Sequence, residues 1–351
     1  MSQPFASIDT PAVLIDLDRV EANLQRTQQH ADAEGYKLRP HIKTHKLPRF
    51  ALRQVELGAV GITVQKLGEA EVMADGGITN LLLPYNIIGE RKLARLVALN
   101  ARVTLAVTAD SPDTVAGYAA TFTADQPLTV LVECDTGAGR CGVQSPAQAL
   151  ALARQIDMAP GLSFGGLMTY PPKHDIAASN AWLSEAVNLI EQAGLPVPVV
   201  TSGNTPDMWS PAAAPVTERR PGTYIYFDRS QVASGVANLD DCALTVLATV
   251  VSRPNATRAV IDAGSKALTS DTLGMDGFGL IMGTDLTVTA LSEEHGVINL
   301  PDASDWPRVG DRLRIIPNHA CVVSNLYDSV NLVSGDDLVE TVPVAARGRS
   351  D

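Results

Sequence analysis

The sequence predicts an α/β protein in which a (β/α)8 barrel, the TIM barrel, is joined to a C-terminal β domain. From about residue 38 to residue 231, apolar β-rich runs alternate with amphipathic helical stretches, which is the pattern of a parallel sheet covered by helices. Beyond about residue 234 the chain changes to short strands separated by glycine, proline and aspartate. At 351 residues the chain is long enough for two domains.

Nine candidate strands support this prediction. Eight of them, 38–43, 61–64, 80–85, 102–107, 128–135, 162–170, 197–202 and 222–227, give the strand number of a barrel, with a doubly wound open sheet as the alternative. The remaining strand, 12–18, precedes them and could pair into the β domain, whose own strands are expected at 243–252, 259–262, 309–316, 321–326 and 329–333. We therefore predict a barrel at 19–235 and a β domain at 236–351 that includes residues 1–18.

Composition limits the function classes. A net charge of −12 argues against nucleic acid as a partner. The four cysteines form no C-x-x-C pair, and we find no signal peptide and no apolar run of 18 residues. These features predict a cytoplasmic enzyme with reduced thiols, no membrane partner and a small-molecule substrate.

The run RPHIKTHK at residues 39–46 is the most informative stretch for chemistry. It surrounds Lys43 with cations and imidazoles where the first barrel strand is expected to end, and in α/β folds this strand edge carries the chemistry. Burial or neighbouring positive charge activates a lysine, and such lysines hold carbonyl cofactors as Schiff bases. A solvated basic turn or an anion-binding patch is the alternative for the octapeptide alone.

Turns after later strands add polar groups at the same edge. Arg140, in the glycine-rich run 135–142, could hold an anionic oxygen, although pairing with Asp135 on the surface is the alternative. The turns at 202–205 and 221–224 lie at the seventh and eighth strands, where barrels commonly bind phosphate. The candidate phosphate-binding residues are Ser202, Gly203, Asn204, Thr205, Gly222, Thr223 and Tyr224.

His319 and Cys321 are a candidate metal pair in the β domain. Two residues apart on an extended segment, their side chains would share one face. An imidazole and a thiolate suit zinc, and two protein ligands leave positions open for water or a substrate oxygen. An interior cysteine beside a hydrogen-bonded histidine is the alternative.

Taken together, these motifs resemble the D-threonine aldolase / D-serine dehydratase family of fold-type III pyridoxal phosphate enzymes. The resemblance spans nearly the whole chain and includes Asp9-Thr10-Pro11, the run at 39–46, Gln65-Lys66, residues 135–142 and Asp262 to Lys266. It implies an alanine-racemase-like barrel, a β domain, pyridoxal 5'-phosphate as the cofactor, a metal site next to the cofactor, and a homodimer.

The resemblance also implies roles for individual residues. Lys43 resembles the Schiff-base lysine, and His41 and Tyr170 are expected beside it as further catalytic residues. Gln65, Arg140 and Tyr170 are expected to contact the cofactor, although an aromatic plug at a strand end is the alternative for Tyr170. The turns at 202–205 and 222–224 resemble the phosphate shell.

The metal pair bears on the reaction. His319 and Cys321 correspond to the family's metal ligands, and cysteine favours zinc over magnesium or manganese. The His-x-Cys spacing resembles dehydratases, whereas Asn325 to Asp328 resembles aldolases. Our first expectation is dehydration of D-serine or D-3-hydroxyaspartate, with D-threonine-type aldol cleavage as the alternative. Amino-acid racemisation or cofactor binding without catalysis are further alternatives.

Overall fold

The computed structural model describes residues 5–301 and 304–351; residues 1–4 and 302–303 of the predicted β domain lie outside the described residues. The strands are β1 (Ala12–Asp16), β2 (Lys37–Leu38), β3 (Ile62–Thr63), β4 (Asn80–Leu83), β5 (Thr104–Ala109), β6 (Leu128–Cys134), β7 (Leu162–Thr169), β8 (Val199–Ser202), β9 (Glu218–Arg219), β10 (Leu244–Asn255), β11 (Arg258–Ile261), β12 (Gly279–Ile281), β13 (Val288–Leu291), β14 (Gly296–Asn299), β15 (Arg312–Pro317), β16 (Ser329–Ser334) and β17 (Asp337–Pro343). The α-helices are α1 (Leu17–Glu34), α2 (Pro48–Leu57), α3 (Leu67–Asp75), α4 (Glu90–Asn100), α5 (Pro112–Ala119), α6 (Pro146–Asp157), α7 (Ile176–Gln192), α8 (Arg229–Ala233), α9 (Ser265–Leu268) and α10 (Ala320–Leu326).

Two compact units divide the chain. The barrel unit contains Arg26–Lys43, Leu47–Gly222 and Arg349–Asp351. The sheet unit contains the N-terminal stretch up to Gln25, Thr44–Lys46 and Thr223–Gly348. The units are defined by packing, and the domain boundary at 235/236 stays a prediction.

The barrel unit confirms the predicted (β/α)8 class. Its strands run in the order β2-β9-β8-β7-β6-β5-β4-β3, and every neighbouring pair is parallel. A parallel bridge between His41 and Thr63 connects the two ends of this order. Since all strands are parallel, the segments that follow them emerge at one face of the barrel.

Local sequence explains several barrel elements. Helices α5 and α6 each start with a serine N-cap followed by proline, and the hydroxyls of Ser111 and Ser145 accept from backbone N–H groups of the first turn. Gly166 allows β7 to approach β8 closely, because a Cβ at this position would collide with the carbonyl of Val199. Its φ of 117° also disfavours other residues.

Two barrel predictions are corrected by the structure. The eighth strand is β9 at 218–219, and the expected strand at 222–227 is instead a 3-10 turn at 223–225. There the N–H groups of Tyr226 and Phe227 both donate to the carbonyl of Thr223, so the buried aromatic run satisfies its backbone locally. The first strand ends at Leu38, and Lys43 lies in a 3-10 turn at 42–44 that follows it.

The sheet unit is built around the first strand. Strand β1 pairs antiparallel with β10 and parallel with β16, and all five of its residues are buried. The path of the sheet is β13-β14-β11-β10-β1-β16-β17, with β15 paired to both β10 and β12. The residues that pair with β1 therefore come from both ends of the C-terminal segment.

One predicted strand of the sheet unit is wrong. Residues 321–326 lie in helix α10 and not in a strand. The buried residues Ala320, Val323 and Ser324 follow the three- and four-residue spacing of a helix. A short apolar run does not distinguish a strand from a buried helix, which explains the error.

Candidate active site

The predicted lysine lies at the barrel face where the strands end. The backbone N–H of Lys43 donates to Nδ1 of His41 over 3.3 Å, and Nε2 of His41 lies 3.0 Å from Oε1 of Gln65. The structure thus brings together these three sequence-predicted residues. The side chain of Lys43 is exposed. Its amine is accessible to a small molecule.

The hydrogen bonds of His41 define its proton arrangement. Because a backbone N–H can only donate, Nδ1 is the acceptor, and Nε2 of the neutral ring carries the proton that is donated to Gln65. His41 is buried, with 8% of its surface exposed. Both ring nitrogens are used to fix the segment that carries Lys43, so this geometry fits a positioning role better than the predicted catalytic role.

Arg140 and Tyr170 form a second group at the same face of the barrel, after β6 and β7. The guanidinium carbon of Arg140 lies 4.8 Å from the centre of the Tyr170 ring, a cation–π geometry. Asp135 accepts from the N–H groups of Gly137 and Gly139. The Asp135 carboxylate therefore shapes the glycine-rich loop, and no ion pair with Arg140 is present among the described residues.

The two predicted phosphate turns meet in the barrel unit. The N–H of Gly222 donates to Oγ1 of Thr205 over 3.2 Å, joining the turn after β9 to the turn after β8. Gly203 has a φ of 108°. Within residues 5–301 and 304–351, the N–H groups of Gly203 and Asn204 donate to no other protein atom. These N–H groups and the Ser202 hydroxyl form a donor set that fits a phosphate.

The other two residues of the predicted phosphate shell belong to the sheet unit. Thr223 follows Gly222 in the chain and is the first residue of the sheet unit's C-terminal segment, Thr223–Gly348. Its Oγ1 lies 3.6 Å from Sγ of Cys321. Tyr224 is buried. The side chain of Asn204 is engaged within the barrel unit, where Oδ1 accepts from the N–H of Asp207. Its backbone, and not its amide group, fits the predicted binding role.

Cys321 and His319 are in contact, although the predicted reason for this contact is wrong. His319 has extended backbone at the N-cap of α10, and Cys321 lies in the first turn of that helix. Burial lowers the pKa of His319, but its hydrogen bond and charge interaction with Cys321, followed by the interaction with Asp271, outweigh burial and raise the pKa to about 9. The helix start and not an extended segment brings the imidazole to the thiol.

Sequence reasoning missed three residues around this pair. Oδ2 of Asp271 lies 2.6 Å from Nδ1 of His319, and Oγ1 of Thr44 lies 3.1 Å from Sγ of Cys321. The buried carboxylate of Asp228 accepts from the N–H of Ala320 at the start of α10. Thr44 was visible within the run at 39–46, but no motif marked either aspartate.

The donor set around α10 fits a metal held by two protein ligands. Among the residues that the structure describes, no group of three or more His, Cys, Asp or Glu side chains could hold a metal ion. The imidazole of His319 and the thiol of Cys321 nevertheless supply nitrogen and sulfur ligands that suit zinc. Two ligands would leave coordination positions open for water or substrate.

Arg220 is a further buried charge that sequence reasoning missed. Its Nε donates to Oγ1 of Thr201 over 3.1 Å, and Nη2 donates to the carbonyl of Thr169 over 2.5 Å. Burial lowers the pKa of Arg220 to about 10, with partial compensation by Glu218 and Glu133. The adjacent motif at 221–224 gave no sign of a buried cation in the barrel.

No helix among the described residues is long and apolar enough to cross a membrane.

Comparisons with known proteins match both segments of the chain. The family model of the alanine racemase N-terminal domain matches residues 15–230, and that of the serine dehydratase domain matches residues 243–333. The chain is 35% identical to D-threonine aldolase from Arthrobacter sp, covering 99% of this chain and 95% of that protein. It is 33% identical to D-threo-3-hydroxyaspartate dehydratase from Delftia sp. (strain HT23), covering 97% and 98%.

Solved structures also match nearly the whole length of the chain. D-threonine aldolase from Filomicrobium marinum superposes with a TM-score of 0.90 at 31% identity, covering 100% of this chain and 99% of that one. A histidine-to-alanine mutant of D-threo-3-hydroxyaspartate dehydratase gives 0.89 at 32% identity, covering 98% and 96%. A cysteine-to-alanine mutant, described as the metal-free form, gives 0.86 at 31% identity, covering 97% and 99%.

The matches extend along nearly the full length of both this chain and its relatives, and the barrel with its separate sheet unit agrees with them. The chain therefore belongs to the family of fold-type III pyridoxal phosphate enzymes that combine an alanine racemase N-terminal domain with a serine dehydratase domain, and it is a lyase.

Proposed function

We propose that this enzyme is a pyridoxal phosphate- and metal-dependent lyase of D-configured β-hydroxy amino acids, and that it dehydrates a D-serine- or D-3-hydroxyaspartate-type substrate to a 2-oxo acid and ammonia. The contact between His319 and Cys321 carries this proposal. In the related dehydratase, the substituted histidine and cysteine also stand two positions apart, and the cysteine mutant is described as metal-free. This parallel supports a metal held by His319 and Cys321.

We assign a separate role to each group of candidate residues. Lys43 holds the cofactor aldehyde, and the turns at 202–205 and 222–224 hold its phosphate. When bound, pyridoxal phosphate supplies an electron sink for charge that develops at the substrate's α-carbon. His41 and Gln65 fix the Lys43 segment, Arg140 holds an anionic oxygen, and the Lys43 amine takes the α-proton.

The metal pair acts on the β-hydroxyl. A zinc ion on His319 and Cys321 would supply Lewis acidity to the hydroxyl oxygen, with magnesium or manganese as less suitable ions for a thiolate. Loss of the α-proton and of the hydroxyl as water leaves an enamine, which takes up a proton at the β-carbon and loses one from nitrogen to become an imino acid. Water then converts the imino acid to the 2-oxo acid and ammonia. The open coordination positions of a two-ligand site fit this role.

Aldol cleavage is the second candidate function. The 35% identity to D-threonine aldolase from Arthrobacter sp favours it. Here the β-hydroxyl loses its proton and the Cα–Cβ bond breaks, so that the β-carbon leaves as an aldehyde. The α-carbon then takes up a proton, which yields glycine. Racemisation requires no metal pair, so persistent loss of optical rotation in chelator-treated enzyme would indicate it. A homodimer and a cytoplasmic location stay predictions.

Product analysis tests the proposal. Enzyme loaded with zinc and pyridoxal phosphate is incubated with D-serine, D-threonine and D-threo-3-hydroxyaspartate, and products are identified by mass. We expect a 2-oxo acid and ammonia, and we expect the activity of Lys43→Ala and Cys321→Ala to fall at least a hundredfold. Lys92→Ala and Cys141→Ala are matched controls that should keep activity.

The products separate the candidates. Glycine with an aldehyde as the main products would replace dehydration by aldol cleavage. Activity retained by Cys321→Ala would contradict the metal pair, and absence of product from all three D-substrates would overturn the lyase proposal for this substrate class. Absence of a spectral change with any amino acid would instead indicate a cofactor-binding protein.

A further inference from the structure

Asp271 contacts the predicted metal ligand His319 from the sheet unit's own loop. Its Oδ2 lies 2.6 Å from Nδ1 of His319, a distance typical of a charge-assisted hydrogen bond. Its other oxygen, Oδ1, accepts from the N–H of Leu273 over 3.2 Å. One carboxylate oxygen of Asp271 therefore contacts the imidazole, and the other accepts a hydrogen bond within the loop.

This contact selects one form of the imidazole. An ionised carboxylate can only accept, so Nδ1 of His319 must carry a proton. In the neutral ring, Nε2 then has the free lone pair that a metal requires. The hydrogen bond also limits rotation of the ring about its bond to Cβ. Asp271 thus fixes both the ligating atom and its direction.

The loop that carries Asp271 is attached to the segment that carries His319. Nδ2 of Asn318, the residue before His319, donates to the carbonyl of Gly277 over 2.8 Å and faces the carbonyl of Thr272 at 3.4 Å. Nη1 of Arg229 donates to Oδ1 of the same asparagine over 3.1 Å. These hydrogen bonds hold the loop that carries Asp271 in a fixed position relative to the segment that carries His319.

The backbone of the ligand is fixed as well. The N–H of Ala320 donates over 2.9 Å to Oδ2 of Asp228. The Asp228 carboxylate is fully buried and also accepts from the hydroxyl of Ser230 over 2.6 Å. His319 is thus held through its backbone by Asp228 and through its ring by Asp271. These two constraints leave little freedom for the imidazole to reorient.

We propose that Asp271 is a positioning residue that orients His319 for metal binding; this inference rests on the proposed function of His319 and Cys321. Outer hydrogen-bond partners of metal-ligating histidines commonly change metal affinity by about 10–100-fold when they are removed. We expect Asp271→Ala to weaken zinc binding by about that factor. Asp271→Asn should weaken it at least as much, because an amide N–H facing Nδ1 favours the wrong tautomer.

The test measures zinc affinity by competition with a chromophoric chelator, using the full chain loaded with pyridoxal phosphate. Variants are Asp271→Ala, Asp271→Asn and Asp271→Glu, with Asp276→Asn as the matched control. Asp276 lies in the same loop with an exposed side chain, and its carbonyl, a backbone group, accepts from Arg229. Asp271→Glu should recover part of the affinity, and Asp276→Asn should match the unchanged enzyme.

A second readout reports the tautomer. In metal-free enzyme labelled with ¹⁵N-histidine and measured at alkaline pH, where the imidazole is neutral, the ring nitrogens of His319, assigned by comparison with His319→Ala, should show the proton on Nδ1. Asp271→Asn should shift the proton to Nε2, which a purely structural role for Asp271 would not produce. An unchanged tautomer together with unchanged zinc affinity in both Asp271→Ala and Asp271→Asn overturns the inference.

The same measurements separate failure of the metal pair from failure of the Asp271 role. If the unchanged enzyme binds no zinc, or if His319→Ala and Cys321→Ala bind it normally, the proposed metal pair fails. If these two variants lose zinc while Asp271→Ala keeps full affinity, the metal pair stands and only the role of Asp271 fails. Circular dichroism of every variant confirms that the protein is folded.

Discussion

Hydroxyl groups from two separate segments surround the thiol of Cys321. Oγ1 of Thr44 lies 3.1 Å from Sγ, and Oγ1 of Thr223 lies 3.6 Å from it. Thr44 is fully buried and follows Lys43 in the chain. A change at this one position therefore affects the thiol without removing Lys43, the predicted cofactor lysine.

Thr44→Val tests this contact. The substitution removes the hydroxyl while keeping the branched shape, so the thiolate loses a hydrogen-bond donor. We expect zinc affinity to fall roughly tenfold, which corresponds to about 1.4 kcal/mol. Chelator competition measures the change, with the exposed Thr289→Val as control. Unaltered affinity would show that the hydroxyl only fills space.

Glu133 gives a pH-dependent prediction. Burial raises the pKa of Glu133, although Arg140 opposes this effect. A carboxyl group whose pKa is higher in the folded than in the unfolded state costs stability in full above the folded pKa, and this cost decreases as the pH falls from the folded pKa towards the unfolded pKa. Glu133→Gln removes the charge while keeping an acceptor for the hydroxyl of Thr108.

Thermal melts at pH 8 and pH 5 check this prediction. Glu133→Gln should raise the melting temperature more at pH 8 than at pH 5. The exposed Glu191→Gln serves as the control and should show little difference. A larger rise in melting temperature for Glu133→Gln at pH 5 than at pH 8 would contradict the prediction.

The site residues differ in how visible they are in the sequence. Lys43 and His41 are neighbours in one run, so composition and the end of a strand were sufficient to mark them. Asp271 contacts His319 across 48 positions and lies in a loop without a motif. Spacing in the sequence carries no signal for such a contact, because only the folded sheet unit brings these segments together.

At the scale of elements, the regular helices and strands could be predicted from the sequence, whereas the irregular segments could not. Helix α6 buries residues at the three- and four-residue spacing of a helix, and strand β6 is a nearly continuous buried run, as expected for a central parallel strand. Segment 222–227 forms a turn because its N–H groups are satisfied locally, and segment 321–326 forms a helix because its start is held by Asp228. Both outcomes depend on partners that periodicity does not include.

Gly166 provides a prediction at this scale. Gly166→Ala places a Cβ against the carbonyl of Val199, between β7 and β8. We expect a loss of about 3 kcal/mol in the free energy of unfolding, because the strands must separate. Gly194 also has positive φ, but no atom lies within 4 Å of the position that a Cβ would take there. Gly194→Ala should therefore cost only about 1 kcal/mol. Urea unfolding compares the two, and equal losses would show that φ alone decides.

At the scale of the whole molecule, the sheet unit depends on its first strand. Leu14 of β1 is fully buried and packs in a cluster with Leu247 and Val333, which belong to β10 and β16. Leu14→Ala should lower the free energy of unfolding by about 2–5 kcal/mol. The control is Val339→Ala on β17, where the side chain is 57% exposed and little change is expected. Denaturant unfolding measures both, and a small effect of Leu14→Ala would mean that β1 is dispensable.

The place of β1 between β10 and β16 also determines when the sheet can form during synthesis. The side chain of Asn331 donates to the carbonyl of Val13, a contact 318 positions apart along the chain. A ribosome adding about 5–20 residues per second needs roughly 15–60 s to make that stretch. For this time the apolar first strand has no partner from β16, while the barrel segments are already emerging. Until β10 is also made, nascent chains of this protein therefore carry β1 as an unpaired hydrophobic strand, which is a natural binding target for chaperones.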